Sequence, residues 1–203
     1  MKILEKKERA LGAKLFLKPE RCNSPKCAVA KRPYKPGPHG KKRFRRISEF
    51  GKQLNEKQKV RFSYGLSEKQ LEKYFVESNR SEEPTHEAMI KFLESRLDNT
   101  VFRSGFAGSR RVARQFVSHG HIMVNGRKVT IPSYSVKAGD RITIRPESAD
   151  QPDFSGLDDK FKNFEAPEWI KLDKEKKAAL VESEPKGVEM PFDMDLVVNY
   201  YLK

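Results

Sequence analysis

The sequence predicts an α+β protein: a helical domain with an extended basic N-terminal arm, plus a small module of two helices packed on a short curled antiparallel sheet. Three observations carry this reading. Prolines crowd residues 18–46, helical periodicity follows from residue 55, and turn signals at Asn125-Gly126 and Ala138-Gly139 then separate short alternating segments. The expected organisation is an arm over 1–46, a helical domain over 47–93 completed by 146–203, and the helix–sheet module over 94–145.

The arm, KPERCNSPKCAVAKRPYKPGPHGKKRFRR at 18–46, holds Pro19, Pro25, Pro33, Pro36 and Pro38. That is too many breakers for a regular helix, so an extended or looped segment is expected. Lys41, Lys42, Arg43, Arg45 and Arg46 surround Phe44, with Tyr34 and His39 just upstream. Charge interleaved with stacking surface suits RNA. A disordered tail is the plainer alternative, and the cysteines and aromatics weigh against it.

Beyond the arm, Asn55 with Gln58 reads as a capping box opening a short basic helix that Gly65 closes. Ser67 with Gln70 repeats the signal for a helix bearing Leu71, Tyr74 and Phe75. After Pro84 and Thr85, Met89, Leu93, Leu97 and Val101 step by four up to Gly105, which predicts one core helix whose aromatics Phe92 and Phe102 serve packing.

In the module Ser109 is a natural N-cap. At about 100° per residue the helix after it places Val112, Ala113, Phe116 and Val117 on one side and Arg110, Arg111 and Arg114 on the other. Gly120 ends it. Asn125-Gly126 marks a tight hairpin in HIMVNGRKVTI, and Arg141 to Arg145 alternate with isoleucines inward and arginines outward. This gathers Arg110, Arg111, Arg114, His119, His121, Arg127 and Lys128. For the two histidines, a place in the turns and contact with RNA are equally good readings.

Charge sharpens the functional class. The chain of 203 residues carries +14, divided as +15 over 1–80, +5 over 81–145 and −6 over 146–203. Fifteen excess positive charges in eighty residues repel one another and favour a polyanion, whose counterions are released on binding. The acidic tail is expected to face solvent, another protein or the basic part of its own chain. No stretch approaches the roughly 18 to 20 apolar residues of a membrane span, and MKILEKKERA lacks a signal peptide's apolar core, so a cytoplasmic protein is expected.

The run from Arg96 to Arg145, with RLDN, GF, ARQ-V-HGHI-VNG and IPSY-V-GD-I, resembles the RNA-binding module named after small-subunit ribosomal protein four. KLFLK at 14–18, ERC-SPKCA at 20–28, RPY-PG-HG at 32–40, SE-G-QL-EKQK at 48–59 and the terminal LVVNYYLK resemble the bacterial-type family of that ribosomal protein itself. The resemblance implies direct binding of small-subunit (16S-type) rRNA, nucleation of subunit assembly, a place at the mRNA entrance, and small-subunit proteins three and five as partners. It makes Arg96, Arg103, Ser109, Arg110, Arg111, Arg114, His119, His121, Arg127 and Lys128, with Lys59 and Arg61 on the basic helix, the candidate rRNA contacts. Lys41, Lys42, Arg43, Arg45 and Arg46 become the candidate patch at the mRNA entrance.

Some members of the family bind zinc through four cysteines, since tetrahedral zinc takes four soft or borderline ligands. Here only Cys22 and Cys27 are present, and alignment on Gly12 and KLFLK places Glu5 and Glu8 where the other pair stands. No zinc and no other cofactor is expected, and the two cysteines are a remnant pair.

Two other classes use such a module. An RNA-modifying enzyme needs a sizeable catalytic domain with an active-site acid, and outside 94–145 the sequence offers none; nor does it carry a phosphate loop or a nucleophile elbow. A stress-type RNA-binding protein of ribosomal particles needs the module and a basic tail, but not the KLFLK or SE-G-QL-EKQK segments. The expectation is binding without chemistry.

Overall fold

The computed structural model describes residues 2–42, 46–162 and 164–202. They divide into two units, residues 1–86 with 189–203, and residues 87–188.

In the first unit prolines break the N-terminal segment into short helices instead of leaving it wholly extended. Helix α1 (Lys2–Leu11) precedes the prolines, α2 (Pro19–Cys22) has Pro19 in its first turn, where a missing N–H costs nothing, and α3 (Ala28–Lys31) follows. Arg9 ties them together, donating to the carbonyls of Arg32 (3.2 Å) and Tyr34 (3.0 Å) with its guanidinium 5.0 Å from the Tyr34 ring centroid. The region is thus a folded piece and not an open arm.

Helix α4 (Glu49–Ser63) starts earlier than expected: Ser48, in extended conformation, accepts the N–H of Gly51, while Asn55 lies inside the helix. The Asn-x-x-Gln spacing was a chance match, because Ser48 already ends the extended stretch that follows the arm. Helix α5 (Glu68–Ser78) has the expected capping box, with Ser67 and Gln70 satisfying each other's backbone N–H groups.

The first unit is closed by its C-terminal segment, and two tyrosines there carry the packing. Tyr200 stacks on Phe50 of α4 at 5.6 Å, and Tyr201 stacks on Phe75 of α5 at 5.0 Å. Between them Lys57, with a side chain only 4% exposed, donates to Glu68 Oε1 at 2.7 Å and lies 4.3 Å from the Tyr200 ring centroid. An ion pair plus a ring face is what makes a buried ammonium tolerable.

The second unit opens with α6 (Thr85–Glu94), which enters it at Glu87, and α7 (Leu97–Arg103). Leu93, Leu97 and Val101 are fully buried as their spacing predicts, but they do not share one helix. At Arg96 the backbone extends and pairs with Ser135 of a passing segment: Val136 N–H donates to Ser95 O at 2.8 Å and Leu97 N–H to Tyr134 O at 2.8 Å. A side-chain period survives such a break, so the apolar pattern alone does not reveal it.

Helix α8 (Arg110–Ser118), capped by Ser109, packs on α7 with Ala113, Phe116 and Val117 buried; Val112 is exposed, narrower burial than predicted. The sheet then begins with β1 (Ile122–Val124), β2 (Arg127–Lys128) and β3 (Arg141–Ile144), joined at Asn125-Gly126 by the expected turn with positive φ at both residues. Ile142 is buried and Arg141 exposed, as the alternation predicts.

Residues 146–188 differ most from expectation. Instead of completing the helical domain, they supply α9 (Pro152–Ser155), α10 (Leu157–Lys162), β4 (Ile170–Asp173) and β5 (Ala178–Val181) to this unit. The five strands run antiparallel in the order β2-β1-β3-β5-β4, with Ile142 opposite Ala179 and Ile170 opposite Val181. Phe154, Leu157, Phe161 and Trp169 complete the core built on α7, α8 and β1. Only residues 189–203, ending in α11 (Met194–Tyr201), belong with the first unit.

Candidate nucleic-acid interface

At the α7–α8 end of the second unit two buried carboxylates organise four arginines. Asp98, its side chain 4% exposed, accepts from Arg96 on both oxygens at 3.0 and 2.8 Å, and from Arg114 Nη2 at 2.7 Å. Glu94, wholly buried, accepts from Arg103 Nε at 2.8 Å and Nη2 at 3.1 Å, and lies 3.5 Å from Arg110. Asn99 joins the two groups, donating to the Glu94 carboxylate at 3.0 Å and accepting from Arg110 Nε at 2.7 Å. Burying a carboxylate is costly unless it is paired and hydrogen-bonded, and here each carboxylate meets two guanidiniums.

Four guanidiniums against two carboxylates leave two positive charges in excess. Arg103, Arg110 and Arg114 keep 26%, 20% and 31% of their side chains exposed, so they offer fixed donors at the surface, while Arg96 at 2% does not. Prior fixation lowers the entropy lost when a phosphate is bound. Arg111, between them in sequence, is exposed. Three free guanidiniums on α8 were expected; the geometry gives one exposed arginine and two anchored ones. Arg96 has become an internal brace. Ser109 is buried and used as the N-cap, accepting the Val112 N–H at 3.3 Å, so its hydroxyl is engaged within the chain.

A second basic cluster stands at the other end of α8. His119 caps that helix, and its ring lies 5.9 Å from that of His121. His121 Nδ1 is 2.9 Å from Ser148 Oγ, and the ring edges contact Phe116 and Phe154. Burial foremost, then electrostatic repulsion from the His119 ring, with Arg145 and Lys128, lowers the His121 pKa against an opposing pull from Asp153. Lys128 lies across Gly120, where an added Cβ would meet its Cε at 2.2 Å; Gly120 also holds φ +75°. Arg127 beside it is exposed. Both readings of the histidines thus have a basis: His121 fills a packed turn, and His119 is exposed beside the lysine.

The candidates in the first unit are more committed. Lys59 pairs with Glu56, and Arg61 donates to Leu66 O and Gln58 and pairs with Glu68 at 3.4 Å. In the patch after the PG-HG segment, Lys41 lies 5.4 Å from the Tyr34 ring centroid, and Lys41, Lys42 and Arg46 are exposed. Arg43 and Arg45 lie outside the described residues.

The cysteine region does not fit a structural zinc site. Cys22 and Cys27 are buried, but the neighbouring acid is already used: Glu8 Oε1 accepts from the N–H groups of Leu15 (3.1 Å) and Leu17 (3.3 Å) and lies 3.6 Å from Cys22 Sγ. Burial, then the Glu8 carboxylate, pushes the Cys22 thiol above its ordinary pKa. Among the described residues no three His, Cys, Asp or Glu side chains are placed to hold a metal ion.

Sequence reasoning named the arginines but missed Glu94, Asp98 and Asn99, which position them. Only a weak signal was present: two carboxylates spaced four apart, each directly after a core leucine, Leu93 and Leu97.

Comparison with known proteins places this geometry in a family. The family model described as Ribosomal protein S4/S9 N-terminal domain matches residues 4–94, and the S4 domain model matches residues 95–142. The chain is similar to proteins named small ribosomal subunit protein uS4. That of Natranaerobius thermophilus is 45% identical over 195 residues, covering 95% of this chain and 93% of the relative. Those of Kosmotoga olearia and Gloeobacter violaceus are each 44% identical, covering 96% and 95% of this chain and 94% and 93% of the relatives. With both of its domains matched and close to half of its residues shared along nearly its whole length, the chain belongs to the uS4 family.

Proposed function

We propose that this chain is a structural constituent of the small ribosomal subunit that binds rRNA directly, without catalysis, as a component of the cytoplasmic ribosome. The observation that carries the reading is the pair of buried carboxylates, Glu94 and Asp98, holding arginines in fixed positions at one surface of the module. Guanidinium forks so held suit the phosphates of a folded RNA, whose shape and 2′-hydroxyls supply specificity. Arg103, Arg110, Arg111, Arg114, Arg127 and Lys128 are the primary contacts, with His119 and His121 beside them. Lys59 and Arg61 act chiefly within their own helix. The exposed charges at Lys41, Lys42 and Arg46, with Arg43 and Arg45, form the patch at the mRNA entrance. Binding nucleates assembly of the subunit body, with small-subunit proteins three and five as neighbours.

The reading is tested by titrating the full chain against its own small-subunit rRNA fragment and an unrelated RNA of equal length at several salt concentrations. Preference for the rRNA that persists at physiological salt is expected. Equal, salt-labile binding to both would overturn it.

A further inference from the structure

Beside the anchored arginines the second unit has a cavity of about 370 Å³ lined by Phe102 and Phe164, by Gly105, Ala107 and Gly108, and by Arg103 and Glu165. We infer that this cavity receives one unstacked base of the bound RNA, with guanine the best fit; the inference rests on the rRNA-binding reading and adds a base subsite to it. Three features argue for a flat aromatic guest bearing a phosphate.

First, the walls are rings. Phe102 carries the Arg110 guanidinium 4.8 Å from its centroid, and that guanidinium is fixed by Asn99. Phe164 packs so closely on Gly105 that an added Cβ there would lie 2.9 Å from the ring, which fixes this wall as well. Preformed stacking surfaces bind any base face with little ordering cost.

Second, one side is kept open. Gly108 is exposed among the lining residues, and a Cβ on it would meet nothing within 4 Å, so no side chain of the protein closes the cavity there.

Third, the rim is polar in a directional way. Arg103, held on Glu94, stands on one side for a phosphate, and the exposed carboxylate of Glu165 stands among the lining groups. A carboxylate repels phosphate and accepts N–H groups, and of the four bases guanine offers two adjacent N–H donors on its Watson–Crick edge. A rim that carries a guanidinium and a carboxylate favours a hydrogen-bonding base over an apolar protein segment as the guest.

The test uses the full chain and its rRNA fragment. Gly108→Leu adds bulk at a lining position without positive φ, and Phe164→Ala removes one wall; Phe164→Trp restores a ring. The first two variants should bind the fragment about 10- to 100-fold more weakly with the salt slope unchanged, since stacking and not ion release is lost. Phe164→Trp should recover most of the affinity. Ultraviolet crosslinking should join a guanine to the peptide containing Phe102 or Phe164. If the wild type prefers the rRNA but Gly108→Leu and Phe164→Ala both bind as it does, the cavity takes no base and the inference fails alone. If the wild type shows no preference, the rRNA reading fails and this inference falls with it. Circular dichroism of Gly108→Leu matching the wild type separates loss of binding from loss of fold.

Discussion

Arg114 donates from two nitrogens, Nε at 2.9 Å and Nη2 at 2.7 Å, to a single oxygen of Asp98. The other guanidinium on that carboxylate comes from Arg96, two residues before it in the chain. One buried acid thus ties the start of α7 to the exposed face of α8, and the electropositive surface is a product of the interior.

Replacing Asp98 by Asn should therefore destabilise the second unit by about 3–5 kcal/mol, the usual cost of leaving a buried charge without its partner. Trp169, the single tryptophan, is 5% exposed in this unit and reports its unfolding by fluorescence. Urea titrations of wild type and Asp98→Asn that coincide would show that Arg96 and Arg114 do not depend on the carboxylate.

The two helix arginines should separate. Arg111→Ala removes an exposed charge and should change stability by less than about 0.5 kcal/mol while lowering the RNA salt slope by roughly 0.7 to 0.9. Arg114→Ala should lower both, because Asp98 then has only Arg96. Equal stability of the two variants would contradict the anchoring role.

In the first unit the titrating group is Glu68. Burial pulls its pKa up, but hydrogen bonds from Lys57 and Tyr201, with the charges of Lys57 and Arg61, outweigh it and hold the carboxyl below its ordinary value. A depressed folded pKa gives stability that is present above the unfolded value, near 4.3, and is lost as pH falls through the folded value. Tyr201 donates to Glu68 Oε1 at 3.0 Å, and burial followed by the Glu68 charge pushes its phenol up, so it remains a donor. Tyr201→Phe should cost about 0.5–1 kcal/mol at pH 7, at the low end because Glu68 is 40% exposed, and less below pH 4. Thermal melts between pH 3 and 7 check the convergence.

On the proposed function, His121 should couple RNA binding to protons. Its lowered pKa keeps the free protein's ring neutral near pH 7, and the associated stability falls as pH drops below the unfolded value of about 6.5. A phosphate beside His119, His121 and Lys128 favours the charged form. Binding should take up protons, so affinity should rise from pH 7.5 to 6, and His121→Gln should flatten the rise. An identical pH profile for the variant would place the phosphates elsewhere.

Legibility in the sequence followed how local each signal is. The Ser67–Gln70 box, the Ser109 cap and the Asn125-Gly126 turn are settled within four residues, and each stands where it was expected. The break at Ser95 and Arg96 is set by backbone pairing with residues about forty positions later, and a side-chain period does not register it. Strands β4 and β5 were hidden because their hairpin turns on a lysine-rich segment, with Lys177 at φ +46°, and because β5 begins with two alanines, weak strand formers that fit the tight space opposite β3. At the site, the arginines were visible as charge, but which of them face outward depends on Glu94 and Asp98, whose burial is a tertiary fact.

The most direct test of the account is the salt dependence of rRNA binding in the triple variant Arg111→Ala, Arg127→Ala, Lys128→Ala, which removes exposed charge from both ends of the α8 face and leaves the buried carboxylates paired. Each phosphate contact contributes roughly 0.7 to 0.9 to the slope, so the slope should fall by about two to three with the fold intact. An unchanged slope in a folded variant would mean that this face does not meet the RNA.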